Sequence, residues 1–280
     1  MNAAALMYHD VTPEGRSESS GFPGGDAARY KLSLQQFAAH LDAIARRSRR
    51  PTTTDALGTT PTPAAVPLLL TFDDGGASAA EWIADALERR GWRGHFFVTS
   101  GYIGRPGFLD AGRIRSLRAR GHVVGSHSHS HPLRMAHCSA PRLRDEWTRS
   151  VGILSDVLGE PVITASVPGG DHSDAVTRTA AAAGVTLLFT SRPTDRVAET
   201  AGVRVFGRYA IQRSTSAETA AALAAGDYAP RARMLAMWSV KEAAKRVGGP
   251  VYLRLRGRLL GASPDVTWGD EEAALSKHPT

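Results

Sequence analysis

The sequence contains a single cysteine, Cys138, so the chain can form no disulfide with itself. It has no run of 18 or more apolar residues, which excludes the usual signature of a membrane-spanning helix. Its opening, Met-Asn-Ala-Ala-Ala-Leu-Met-Tyr-His-Asp, lacks a basic stretch leading into an apolar one. No secretory leader is therefore expected, and the cytoplasm is the expected compartment. Zinc-finger spacing is missing, as is a basic, aromatic-interleaved run of the kind that reads nucleic acid, so no nucleic-acid partner is expected. Acids are in deficit, 27 Asp and Glu against 34 Lys and Arg, and the formal net charge is +7. Much of that excess is local. Between 231 and 260, Arg231, Arg233, Lys241, Lys245, Arg246, Arg254, Arg256 and Arg258 stand against one acid, Glu242.

What is present is a chain of 280 residues, long enough for one α/β barrel, with a 42% hydrophobic content that can fill a core. Short apolar runs alternate with helical periodicity. The pattern predicts strands at Leu6–Tyr8, Val66–Phe72, His95–Val98, His122–Gly125, Val162–Val167, Val185–Thr190 and Val203–Ile211. Helices are predicted between them: Lys31–Arg47 with Ser33 as N-cap, Ala79–Arg90, Asp110–Arg120, Pro141–Leu158 and Ser173–Ala183. Such alternation argues for a parallel sheet, open or closed into a barrel, whose chemistry sits at the C-terminal ends of the strands. Residues 13–26, rich in Gly, Ser and Pro, read as a loop over one face.

Three polar clusters fall on that edge. Thr71-Phe72-Asp73-Asp74-Gly75 ends a buried strand with two adjacent carboxylates, whose repulsion a divalent cation would relieve. The plainer alternative is that Asp74 caps the following helix. Gly125-Ser126-His127-Ser128-His129-Ser130-His131-Pro132 carries alternate histidines. On a helical turn His127 and His131 would face one way and share a metal, with His129 pointing elsewhere. An exposed polar turn is the plainer reading here. Asp74 with His127 and His131 leaves positions open for water and substrate, and Asp73 is then the base. Pro168-Gly169-Gly170 follows a strand and could bare N–H groups to an oxyanion, or be simply a turn. Cys138, beside His137, reads as a small buried residue rather than a nucleophile.

These residues resemble the polysaccharide deacetylase, or NodB-homology, family. Its first motif, Thr-Phe-Asp-Asp-Gly, stands intact at 71–75, and its second, His-Ser/Thr-x-x-His-Pro, at 127–132. The resemblance covers roughly residues 4–215 and implies a distorted (β/α) barrel over 1–215. A basic helical C-terminal extension follows over 216–260, and a loosely ordered tail over 261–280. It implies one divalent metal on Asp74, His127 and His131, zinc first, with cobalt, nickel or manganese as alternatives. Asp73 is the implied base, Gly169 N–H the oxyanion donor, and Pro168 and Gly170 substrate contacts. The implied reaction removes an N-acetyl group from an amino-sugar glycan or a lipid- or nucleotide-linked precursor.

Later motifs depart from the family. Its third, Arg-x-Pro-Tyr-Gly, reads Ser166-Val167-Pro168-Gly169-Gly170 here, so the arginine that orients the base is missing. Arg208, among the expected substrate contacts, or Arg192 could replace it. The family's late histidine, a general acid, falls near Gln212, and His9 and His172 are the substitute candidates. Two other readings stand beside the deacetylase: a metal-dependent hydrolase of a small amide or cyclic imide, and a catalytically impaired carbohydrate-binding relative. The segment 231–260 either touches an anionic membrane face peripherally or is a solvated helical face packed by Leu235 and Trp238. The sequence leaves the oligomeric state open.

Overall fold

The computed structural model describes the chain except Ser48 and residues 58–65 and 244–280. Eight parallel strands form its wall: β1 (Ala4–Tyr8), β2 (Leu68–Phe72), β3 (His95–Val98), β4 (Val123–Ser126), β5 (Thr164–Ser166), β6 (Leu187–Phe189), β7 (Val203–Phe206) and β8 (Tyr209–Ala210). They lie in the order β7-β6-β5-β4-β3-β2-β1-β8. Ala198–Thr200 adds an antiparallel strand outside β7, and Pro51–Thr52 pairs beside the start of β2. The sheet is curled but open.

Alternation along each strand decides what faces inward. Leu68, Leu70 and Phe72 join the outer core under the helices, whereas Leu69 belongs to an inner cluster with Ala3, Ala5, Phe97, Leu187, Phe189 and Phe206. Both faces of β2 are covered, which is why it reads as an unbroken apolar run. Each such buried Leu or Phe stabilises the fold by about 1.5–3 kcal/mol.

The helices start where side chains can cap them. In α1 (Leu34–Arg46) Ser33 and Gln36 form a reciprocal capping box, and Asp110 caps α3 (Ala111–Ala119). The predicted helix at 79 opens with one wide turn, Ala79–Ile83, before α2 (Ala84–Glu88). Ser139 caps α4 (Ala140–Leu158), which stops at the left-handed Gly159, and Ser173 caps α5 (Asp174–Ala182).

The expectation of one strand over Val203–Ile211 is corrected. β7 pairs with β6 at one edge of the sheet, and β8 pairs with β1 at the other. Only Gly207 and Arg208 separate them, so the two edges are brought close by the chain itself. A Cβ on Gly207 would lie 2.4 Å from Arg192 O and 2.5 Å from Thr194 O. No side chain fits there.

The boundary expected at 215 falls just before α6 (Ala217–Ala225), whose Ala220, Ala221, Leu223 and Ala224 are buried in the outer core that α1 also fills. A further helix starts at 228 and is described to 243. Tyr228, Met237 and Val240 are exposed on it, Arg231 binds Asp195 at 3.0 Å, and Arg192 lies over the Trp238 ring. The rest of the basic segment, 244–260, and the tail 261–280 lie outside the described residues. Among the described residues, no helix is long and apolar enough to cross a membrane.

Candidate metal centre

At the end of β2 the backbone departs from alternation. Asp73 continues the inward series of Leu69 and Thr71, and its N–H is held by Tyr8 O at 3.0 Å. Asp74 takes φ +76°, a left-handed conformation uncommon for a residue with a Cβ. That turn lets two adjacent carboxylates reach one site. Gly75 follows at φ +80°, with the Val98 side chain 3.0 Å from where a Cβ would stand.

His127 continues β4, its N–H bonded to Val98 O at 2.8 Å. The helical turn expected for His127–His131 is corrected: Ser128 and His131 lie at φ +62° and +60° in a bent loop. The histidines nonetheless converge. Nε2 of His127 and Nε2 of His131 each stand 3.4 Å from the same oxygen, Asp74 Oδ1. One ligand atom from each of the three residues lies within 4.8 Å of the others. His129 turns away, its Nδ1 2.9 Å from Ser100 Oγ.

The donor set suits a divalent ion. Asp74 Oδ1 is buried without a hydrogen-bond partner, the position a cation would fill. His127 Nδ1 lies 3.2 Å from Ser166 O and 2.6 Å from Ser166 Oγ. A carbonyl only accepts, so Nδ1 carries a proton, and with an ion bound Nε2 would turn its lone pair to it. Burial pushes the Asp74 carboxyl up, but the facing His127 and His131, with His9 behind, hold it well below its ordinary range. Asp74 is thus poised as an anion.

Asp73 is clamped from below. Arg208 is fully buried, and its two terminal nitrogens meet Asp73 Oδ1 and Oδ2 at 2.7 and 2.8 Å. Its Nε donates to Thr190 O at 3.0 Å. Burial raises the Asp73 carboxyl, yet the Arg208 charge, then His127 and the Arg208 hydrogen bonds, bring it below the ordinary value. The expected substrate contact at Arg208 is therefore corrected: this side chain lies fully buried under Asp73, out of a ligand's reach. Ser166, at the motif arginine's position, donates to Asp73 Oδ1 at 3.2 Å. A small residue at 166 and an arginine entering at 208 together do the orienting. Arg192 stacks over Trp238 instead.

The two candidate acids differ. His9, just past β1, is half-buried, its Nδ1 has no partner, and its charge acts on both Asp73 and Asp74. His172 spends its Nε2 on Thr177 Oγ1 at 2.7 Å, and the charge acting on it is Asp174. Of the two, only His9 has a charge that acts on the carboxylates. Pro168–Gly170 forms a tight turn with Gly169 at φ +60° and Gly170 at +67°. A Cβ on Gly169 would stand 2.6 Å from Leu133 O, which pins this turn to the loop after the histidines. Gln212 gives its N–H to Thr215 Oγ1, and burial pushes the Cys138 thiol up.

The sequence reading missed a second set of residues around the loop. Phe22 is nearly buried with its ring 4.7 Å from that of His131. The segment 13–26 that carries it is not a free loop: buried Lys31 donates to the carbonyls of Ser17, Ser20 and Phe22 at 2.6–2.8 Å. Glu146 on α4 is buried against the backbone of the histidine loop. A carboxylate on the apolar face of an otherwise amphipathic helix was the available signal.

Residues 61–188 match the family model described as Polysaccharide deacetylase. Among curated proteins no match was found. Solved structures share the fold. The deacetylase PplD of Streptococcus pyogenes, in complex with acetate, is 20% identical with a TM-score of 0.63, over 78% of this chain and 96% of that one. IcaB from Ammonifex degensii is 24% identical with a TM-score of 0.65, over 79% and 97%. A polysaccharide deacetylase from Bacillus cereus is 18% identical with a TM-score of 0.66, over 80% and 69%. The matched segment contains Asp73, Asp74, His127 and His131, so over residues 61–188 the chain is similar to the polysaccharide deacetylase family, and the solved structures share its fold.

Proposed function

We propose that the protein is a metal-dependent hydrolase that removes the acetyl group from the nitrogen of an amino sugar, in a glycan or a glycan precursor. One observation carries this reading: two imidazole nitrogens face the partnerless oxygen of Asp74, beside a carboxylate that Arg208 keeps ionised. Asp74, His127 and His131 would hold the ion, zinc first by its preference for such ligands. When bound, the metal supplies Lewis acidity to a carbonyl oxygen and lowers the pKa of water.

The remaining work belongs to the chain. Asp73, ionised by its guanidinium clamp, accepts the proton of the attacking water. His9, with its unpartnered nitrogen at the same rim, donates a proton to the departing amine. The Gly169 N–H is the assigned donor to the oxygen that gains charge as water adds. Pro168 and Gly170 then border the acyl group. The match to the polysaccharide deacetylase model and the likeness to the deacetylase PplD, in complex with acetate, support release of an acetyl group.

Acetate release from N-acetylglucosamine oligomers, measured with and without added zinc, tests the proposal. Metal-dependent release is expected, and Asp73→Asn is expected to lower kcat by roughly 10²–10⁴ while zinc still binds. Turnover of a small amide or cyclic imide with no activity on any sugar would sink the carbohydrate assignment. An unchanged rate in Asp73→Asn would show that another group is the base.

A further inference from the structure

We propose that Glu146 and Ser150, one turn apart on α4, are the positioning residues that set the geometry of the two histidine ligands. The inference rests on the metal reading above and concerns how this chain builds that site. Four residues, 128 to 131, carry the loop from His127 to its second ligand, and each of their N–H groups is met by a side-chain oxygen. Ser128 N–H donates to Ser126 Oγ at 3.1 Å, and His131 N–H to Ser128 Oγ at 3.1 Å. The middle two, His129 and Ser130, both donate to Glu146 Oε2, at 3.0 and 2.8 Å.

The second oxygen of Glu146 is equally committed. Oε1 accepts from Ser130 Oγ at 2.5 Å and from Arg142 Nε at 3.0 Å, and Arg142 also donates to Ser130 Oγ at 2.9 Å. Ser150 Oγ lies 2.7 Å from Ser126 Oγ, so the same helix face braces the loop at its start and at its middle. Glu146 and Ser150 are 1% and 0% exposed. A carboxylate buried that deeply is tolerated only when its oxygens are fully met by donors.

The loop needs such a brace because it is strained. Ser128 and His131 both hold left-handed backbones, and residues of that kind persist only where the surroundings over-determine them. Without Glu146, 129 and 130 lose their acceptor and the loop can relax toward ordinary dihedrals. His131 would then swing away from Asp74. The expected loss is in metal affinity more than in the fold, because the barrel core under α4 is made by Leu143, Trp147 and Leu154.

The test is zinc affinity of the full-length protein, stripped of metal and titrated against a chromophoric chelator, alongside the visible spectrum of the cobalt-loaded form. Glu146→Gln keeps the size but replaces one acceptor oxygen by a donor. It is expected to weaken zinc binding about 10–100-fold and to alter the cobalt bands, with an unchanged far-UV spectrum. Affinity within twofold of wild type, with an unaltered cobalt spectrum, overturns the proposal. If Glu146→Gln does not fold, Ser150→Ala decides: a loss of threefold or more supports the brace, and no change overturns it. A wild-type protein that binds no zinc or cobalt would instead fail the metal reading itself, and the inference with it.

Discussion

At the scale of single residues, the chemistry depends on one buried ion pair. Removing one partner of such a pair leaves an uncompensated charge, which costs about 3–5 kcal/mol. Arg208→Met is therefore expected to lower the stability of the metal-free protein by about that amount, read as a drop in Tm. It should also release Asp73 from the charge that keeps its carboxyl low. In the folded Arg208→Lys variant, which keeps a charge without the two-pronged grip, the acid limb of the pH–rate profile should move to higher pH. A limb that stays in place would mean that Asp73 does not govern it. The candidate ligand set was legible in the sequence because Asp74, His127 and His131 sit in two short contiguous motifs. The partner of Asp73 was legible only as one of two candidates, Arg208 or Arg192: Arg208 lies 135 positions away, and nothing local marks which of the two turns inward.

At the scale of elements, strands and helices were read closely where local signals were strong. Ser33 and Asp110 cap helices as their residue types predict, and β3 falls on its expected residues, His95–Val98. The reading failed where geometry is set from a distance. The run Val203–Ile211 is apolar enough for one strand, and only the backbone of Arg192 and Thr194, pressed against Gly207, divides it. Gly207→Ala should therefore force the two edges apart and destabilise by about 1–3 kcal/mol in urea unfolding. A neutral effect would show that the crossing has slack. The histidine loop failed in the same way: its bent path is imposed by α4, and an i, i+4 spacing alone suggested a helical turn.

At the scale of the whole molecule, stability should fall in mild acid. Burial pushes His40, His95 and His122 down, His95 to about 4. A histidine whose pKa is lower in the folded than in the unfolded chain contributes fully above the unfolded value, about 6.5. That contribution is lost as pH falls toward the folded value, by up to about 1.4 kcal/mol per pH unit for each group. For His95 alone this sums to about 3 kcal/mol between pH 6.5 and 4. Urea unfolding of the metal-free protein across this range should show the decline, and His95→Gln should make it shallower. A flat profile would contradict the burial of these rings. The two-residue step through Gly207 and Arg208 has a consequence for synthesis. The chain leaves the ribosome from its N-terminus, so β1, β2 and both Asp73 and Asp74 are made long before Arg208. β8, which must seat against β1, comes later still. The pairing that completes Asp73 spans 135 positions, the β1–β8 pairing beside it joins Leu6 to Tyr209, and distant contacts close slowly. Asp73 is made early and meets its arginine last, when β8 docks.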